Sequence, residues 1–247
     1  MIFSKKTYTI FGIAFILIFL EALSGITNSG FFPPISEIFL RLVHLLLSGA
    51  LNGHIAASLE RVFYGFTLAA LVAIPLGMIL GQYKKVGDFV MPTVEAIRHI
   101  SPIALFPMFI LFFGIGVLSK VAIIFWVAWI PILLNTISGV RSVEKIYLKV
   151  AETMNADRFT IFREIIFPSS LPQIITGLRI GVGSALLALI AAEMIGASSG
   201  IGFFIINSMY TFKILDMYAG ILAVAIIGFA LNYLFVYIER KIVVWRS

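Results

Sequence analysis

Apolar residues fall in long runs along this chain, and polar residues gather between the runs. A helix needs about 20 mostly apolar residues to cross a bilayer. Runs of that kind lie at about 8–26, 56–81, 99–117, 119–139, 172–195 and 216–238. The pattern predicts an all-α integral membrane protein with six transmembrane helices. The first run follows Lys5 and Lys6, and Ala22-Leu23-Ser24 near its end resembles a signal-peptide cleavage site. Its apolar stretch from Tyr8 to Leu23 is long for a signal segment, so the reading taken is an uncleaved span.

Two interruptions have a pattern of their own. After Pro33 and Pro34, the residues Glu37, Arg41, His44 and Ser48 recur on one helical face, with Ile, Phe, Leu and Val on the other. This is an amphipathic helix. Two placements fit it: along the membrane surface, or short and buried in the bundle. His44, on the polar face, reads as a surface residue rather than a ligand.

The second interruption, 141–172, predicts a helix-turn-helix. Ser142 is positioned to cap a helix with Glu144 in its first turn. Val143, Ile146, Tyr147, Val150 and Met154 form its apolar stripe, and Lys145, Lys149 and Glu152 face the other way. Asn155 tolerates a left-handed backbone and ends the helix. Asp157 caps a second helix carrying Phe159, Phe162 and Ile166 beside Arg158, Arg163 and Glu164. Pro168 stops it and Pro172 opens the next span. Loops between elements are ordinarily short, so a structured, partly apolar ledge predicts a docking surface. The competing reading is a ledge packed only on its own spans.

Composition narrows the function. Of 247 residues, 61% are hydrophobic and 12% charged, against about 25% charged in soluble domains. The lipid bilayer is therefore the solvent. The net charge of +6 would suggest nucleic acid in a soluble chain, but here it sits in loops, and nucleic acid is not expected as a partner. Lys5, Lys6, Lys84, Lys85, Arg141, Lys145, Lys149, Arg158, Arg163, Arg240, Lys241 and Arg246 all fall on one side if there are six spans and both termini are cytoplasmic. The other side has only Arg41, Lys120 and Lys213 in its loops. The positive-inside bias thus supports both the span count and the direction. The chain has no Cys, hence no disulfide, thiolate metal site or Cys nucleophile. It has no GxxxxGK[ST] loop, so nucleotide hydrolysis belongs to another chain. His44, His54 and His99 form no HExxH, which argues against an intramembrane metalloenzyme. No internal repeat is visible, which argues against an ion-driven secondary transporter built on inverted repeats. No cofactor or metal is expected.

Within the spans, Gly177, Gly181, Ala185, Ala188 and Ala192 make a stripe of small residues. Such stripes let helices approach closely in lipid, either within the bundle or at a subunit interface or path wall. Pro75, Pro107 and Pro131 interrupt apolar runs and would kink them unless neighbours satisfy the freed carbonyls. Arg98, Arg179 and Glu193 are ionisable groups in or near the membrane, which makes them candidates for a substrate path or gate. For the two arginines the competing reading is snorkelling to the interface.

The ledge also carries a family resemblance. Leu148-Lys149-Val150-Ala151-Glu152-Thr153-Met154-Asn155-Ala156-Asp157, followed by Phe162 and Phe167-Pro168, resembles the EAA loop of bacterial ABC-importer permeases, in the form found in the nitrate/sulfonate/taurine group. Lys149 stands where that family has Glu, and Asn155 where it has Gly. SLERVFYGFTLAALVAIPLGMILG (58–81), ISPIALFPMFILFFGIGVLSKV (100–121) and TGLRIGVGSALLALIAAEMIGASSGIGFFI (176–205) are similar to further stretches of the family, in the same order. The resemblance implies an ABC type I transmembrane fold. A first helix and connector (1–53) would precede a permease core (54–238, with the coupling loop at 141–172) and a cytoplasmic tail (239–247).

It also implies a cell-membrane location, a second permease copy or paralogue, two cytoplasmic ATPase subunits and an extracytoplasmic substrate-binding protein. Lys149, Val150, Ala151, Glu152, Asn155, Ala156, Asp157, Phe159 and Phe162 would contact the ATPase, Ala151 and Ala156 permitting close approach. The solute implied is a small oxyanion such as a sulfonate, taurine or nitrate. Similar permeases serve thiamine-pyrimidine precursors or riboflavin.

Overall fold

The computed structural model describes residues 12, 15, 19, 21–25 and 31–242. The predicted first span, 8–26, lies largely outside the described residues, as do Lys5, Lys6 and Arg246. Among the described residues there are no strands. The helices are α1 (Ile35–Leu47), α2 (Asn52–Gln82), α3 (Lys84–Arg98), α4 (Pro102–Phe113), α5 (Val117–Arg141), α6 (Lys145–Thr153), α7 (Arg158–Ile161), α8 (Phe167–Gly196), α9 (Ile201–Tyr210) and α10 (Ile214–Ile242), with one π-helical turn at Phe162–Ile166. Four helical runs among them are long and apolar enough to cross a membrane: α2, α5, Arg158–Gly196 and α10.

The centre of the bundle is α5, clasped between α2 and α8. Its core joins Ala69 and Ala73 of α2, Ile124, Ala128 and Ile132 of α5, and Val182, Ala185 and Leu189 of α8. Helices in lipid gain nothing from expelling water, so they must associate through close contact, and small residues provide it. On α2, a Cβ at Gly65, Gly77 or Gly81 would press within 2.6 Å of Ile124, Thr136 or Val140 respectively. On α8, Gly177 meets Asn135, Pro131 and Ile132, and Gly181 meets Ile132 and Ala128. The stripe on α8 thus faces α5 of the same chain. The matching stripe on α2, Gly65-Ala69-Ala73-Gly77-Gly81, is readable in the sequence at a spacing of four.

The predicted span at 99–117 takes a different form. Only α4 is helical there, and 12 residues reach about 18 Å. It joins α3 at a bend of 94°. Pro102 causes the break: it disfavours helix at the residue before it, and Ser101 is extended (φ −63°, ψ 122°). Val86, Phe89, Val90, Val94 and Ile97 give α3 an amphipathic pattern inside a stretch that the apolar count passes over. Gly87 sits against the Leu80 carbonyl and the Arg141 guanidinium, and Val94 joins the central core. Taken together, α3 and α4 are long and apolar enough for a bent span or a re-entrant loop, with α4 packed beside α5.

The amphipathic segment after Pro34 is α1. It docks on the first turns of α10 through Leu42, Leu45, Ala219 and Ala223, and Arg41 pairs with Asp216. It is therefore part of the bundle on one face, while Leu40 and Leu47 on the other remain exposed.

Candidate functional site

The ledge between α5 and α8 differs in three ways from its sequence-based expectation. Ser142 does not cap α6; it closes α5, donating its hydroxyl to Gly139 O at 2.8 Å. The residue before α6 is Glu144, which makes no side-chain cap. Pro168 does not stop the second helix, which continues from Arg158 into α8 as a single 39-residue run. The π turn explains this. Phe167 N–H bonds back five residues to Phe162 O, and that wider turn accommodates a proline, which has no N–H of its own and clashes with a normal helical turn.

The turn itself takes the form that the sequence predicts. Asn155 is left-handed, φ 55°. Its N–H bonds Glu152 O at 3.0 Å, and the Ala156 N–H bonds Ala151 O at 3.0 Å. Those two bonds define a Schellman motif, which satisfies the last carbonyls of α6. Asp157 then caps α7, accepting from Phe159 N–H at 3.1 Å and Thr160 N–H at 3.4 Å, and from the Thr160 hydroxyl. Those donors, the hydroxyl first, hold the Asp157 carboxyl below its ordinary range.

The apolar stripe of α6 is uncovered. Ile146, Tyr147, Val150 and Met154 are all exposed, the last at 77%, and only Ala151 is buried. They line a shallow cavity of about 540 Å³ with Ile165 and Ser169. Lys149, Glu152, Asn155 and Asp157 are exposed and Ala156 is half-buried at the turn. Phe159 stands out at 67% exposure. Phe162 instead turns inward against the Met78, Val140 and Ile174 cluster. Of the two aromatics expected at the ATPase contact, Phe159 is the exposed one.

The path candidates Arg98, Arg179 and Glu193 are not brought together. Arg179 pairs with Glu239 at 3.4 Å, near the ledge end of α10. Glu193 lies at the opposite end, fully buried. Its carboxylate accepts from Ser58 Oγ at 2.9 Å, Arg61 Nη1 at 2.6 Å and Gly202 N–H at 2.9 Å. Arg61 also donates to Ser199 O and Ser199 Oγ, Ser58 Oγ accepts from Ile201 N–H, and Lys120 donates to Gly116 O and Gly196 O. A Cβ at Gly200, whose φ is 116°, would overlap the Glu193 carboxylate. The cluster fastens the α8–α9 turn to α2 and α5. Arg61 is the residue sequence reading missed, because an Arg inside an apolar run shows no partner 132 residues away.

Arg98 lines a cavity. That space, about 410 Å³, lies between the α3–α4 bend, α5 and α8, and Trp126, Ile130, Asn135, Ile180 and Ser184 line it with Arg98.

Comparison with known proteins places this geometry. The family model for "binding-protein-dependent transport system inner membrane component" matches residues 73–244. The taurine transport system permease protein TauC of Escherichia coli is 33% identical over 223 residues, 88% of this chain and 81% of that one. The nitrate import permease protein NrtB of a Synechocystis species is 35% identical over 189 residues, 76% of this chain and 69% of that one. Among solved structures, a chain of the MetNI methionine ABC transporter superposes with a TM-score of 0.70 at 17% identity, over 78% of this chain and 95% of that chain. At that identity the likeness is one of fold.

Proposed function

From the premise that the chain belongs to the family of binding-protein-dependent transport system inner membrane components, we propose that its ledge is the seat of a cytoplasmic ATPase and its solute a small oxyanion. The chain is a multi-pass membrane protein, the permease subunit of an ABC importer. Such a permease works with an ATPase and a substrate-binding protein.

One observation carries the ledge assignment. On α6, which lies outside the helical runs long and apolar enough to cross a membrane, Ile146, Tyr147, Val150 and Met154 stay uncovered beside a tight turn. An apolar patch of that kind marks a protein contact. Lys149, Val150, Ala151, Glu152, Asn155, Ala156, Asp157 and Phe159 form its rim and tip, and Phe162 braces it from within. ATP-driven closure of two ATPase subunits would move two such ledges and switch the path between its two openings. A second permease copy or paralogue, with both termini on the ATPase side, completes this arrangement. The Lys and Arg bias of the loops supports that direction. The taurine and nitrate relatives support the oxyanion reading.

The test is capture of the tagged chain from its native membrane in mild detergent. A P-loop ATPase recovered one-to-one supports the assignment. A chain recovered alone that transports on a proton or sodium gradient after ATP is depleted overturns it.

A further inference from the structure

We propose that the cavity at the α3–α4 bend binds an organic oxyanion, its anionic head on Arg98 and its apolar body against Trp126, Ile130 and Ile180. This rests on the permease reading and narrows its solute class. The cavity sits at mid-depth. Trp126 to Asn135 occupy the middle of α5, which runs from 117 to 141, and Ile180 and Ser184 the middle of α8, which runs from 167 to 196. A guanidinium at that depth is costly unless it has a use.

Arg98 has one ion-pair partner among the described residues, Glu95, one turn back on the same helix at 3.1 Å. That contact engages Nη2 only, and half of the Arg98 side chain stays accessible. Guanidinium carries five N–H donors in a fork that matches an oxyanion, so most of them remain to be used. The break in the helix adds to this. Ile100 and Pro102 also line the cavity, so the N-terminus of α4 borders it. Pro102 has no N–H and Leu105 N–H bonds Ser101 O at 3.3 Å, so the N–H groups of Ile103 and Ala104 carry the partial positive charge of that end. Asn135 donates one of its two amide N–H groups to Pro131 O at 2.8 Å and keeps the other.

Size separates the solute classes. An inorganic oxyanion of four or five heavy atoms displaces roughly two or three waters, each about 30 Å³. It would leave most of the 410 Å³ wet against Trp126, Val127, Ile130, Leu134 and Ile180. A short alkyl sulfonate of about eight heavy atoms displaces roughly four or five waters, and an aryl sulfonate more, with its body covering those apolar walls and its head on Arg98.

The experiment is calorimetric titration of the purified full-length chain, with whatever partners co-purify, in lipid nanodiscs. The probes are butane-1-sulfonate, butylammonium and nitrate. Saturable binding of butane-1-sulfonate is expected, with nitrate and butylammonium at least about tenfold weaker. Arg98→Gln should weaken the sulfonate about tenfold or more, the usual scale for a lost charged hydrogen bond. Arg98→Lys should recover part of that loss. Ser184→Leu keeps the charge and fills the cavity, so it should remove binding. Elution and helix content like the wild type establish that the variants fold. Nitrate binding as tightly as butane-1-sulfonate, or sulfonate binding indifferent to both Arg98→Gln and Ser184→Leu, overturns the proposal. Either failure leaves the importer reading in place, because that reading stands on capture of the ATPase.

Discussion

The two ends of α8 differ in what their side chains are given to do. At one end Glu193 is fully buried, and it, Arg61, Ser58 and Lys120 all find partners within this chain. At the other, the ledge leaves Ile146, Tyr147, Val150, Met154 and Phe159 open, while its backbone is fully organised by a Schellman turn and an Asp cap. The first end satisfies its buried polar groups within the chain. The second has spent its interactions on shape and left its side chains to meet something else. Mutations at the first end should therefore read out as stability, and at the second as coupling to a partner.

The largest effect on the fold should come from the buried pair. Glu193→Gln or Arg61→Met leaves a buried charge unpaired, which costs about 3–5 kcal/mol. Thermal or detergent-driven unfolding of the purified chain measures it. The control is a pair of the same chemistry at the ledge end. Arg141 and Asp88 are 3.0 Å apart but 31% and 51% exposed, so Asp88→Asn should cost under about 1 kcal/mol. Equal costs at both ends would erase the contrast.

A smaller effect separates two turns of the same design. At the far end of α9, Phe212 is left-handed (φ 55°), and Lys213 N–H and Phe212 N–H bond back to Ser208 O and Met209 O. This repeats the bonding at Asn155. A left-handed backbone costs an ordinary L-residue about 1–2 kcal/mol, and Asn less. Phe212→Gly should therefore stabilise the chain by about 1 kcal/mol, and Asn155→Gly by much less. Parallel unfolding curves of the two variants decide it.

How much of this was readable depended on distance along the chain. The ledge was legible because its determinants are local. Asn155 after a helical stripe and Asp157 before another are contacts of two to five residues, and sequence spacing encodes them. The Glu193 cluster was not, because Ser58 and Arg61 come from another helix and look like lipid-flanked residues until the helices pack. Span three failed for an intermediate reason. The apolar count over 99–117 passed, but Pro102 carried a local signal against a helix crossing there. At Pro168 the local rule for proline was overridden by a π turn, which hydrophobic periodicity does not report.

Strong acidity should loosen the ledge turn. The Asp157 carboxyl is held below its ordinary range by the Thr160 hydroxyl and the two backbone N–H groups. A depressed folded value means the cap contributes above the unfolded value of about 3.9 and is lost as pH falls through the folded one. A nitroxide at Arg158 should gain mobility over that range below pH about 4. In Asp157→Asn, which keeps an acceptor that does not titrate, the change should vanish. Mobility independent of pH in the wild type would mean that the carboxylate is not what holds the turn.

The smallest effect on the fold should be the largest on transport. Ala156 is half-buried at the ledge turn, beside the open cavity bounded by Val150, Ala151 and Met154. Ala156→Glu places a charge where a partner would seat and removes no buried contact, so stability should stay within about 0.5 kcal/mol. If an ATPase seats there, ATP-driven uptake should fall to background while hydrolysis by the co-purified ATPase continues. If Ala151→Glu and Ala156→Glu together leave uptake intact, the ledge is packed only on its own spans. The contrast between the two ends would then be one of burial and not of function. Normal stability with lost coupling can come only from a surface whose contacts lie outside this chain, so it is the outcome that gives the open stripe its meaning.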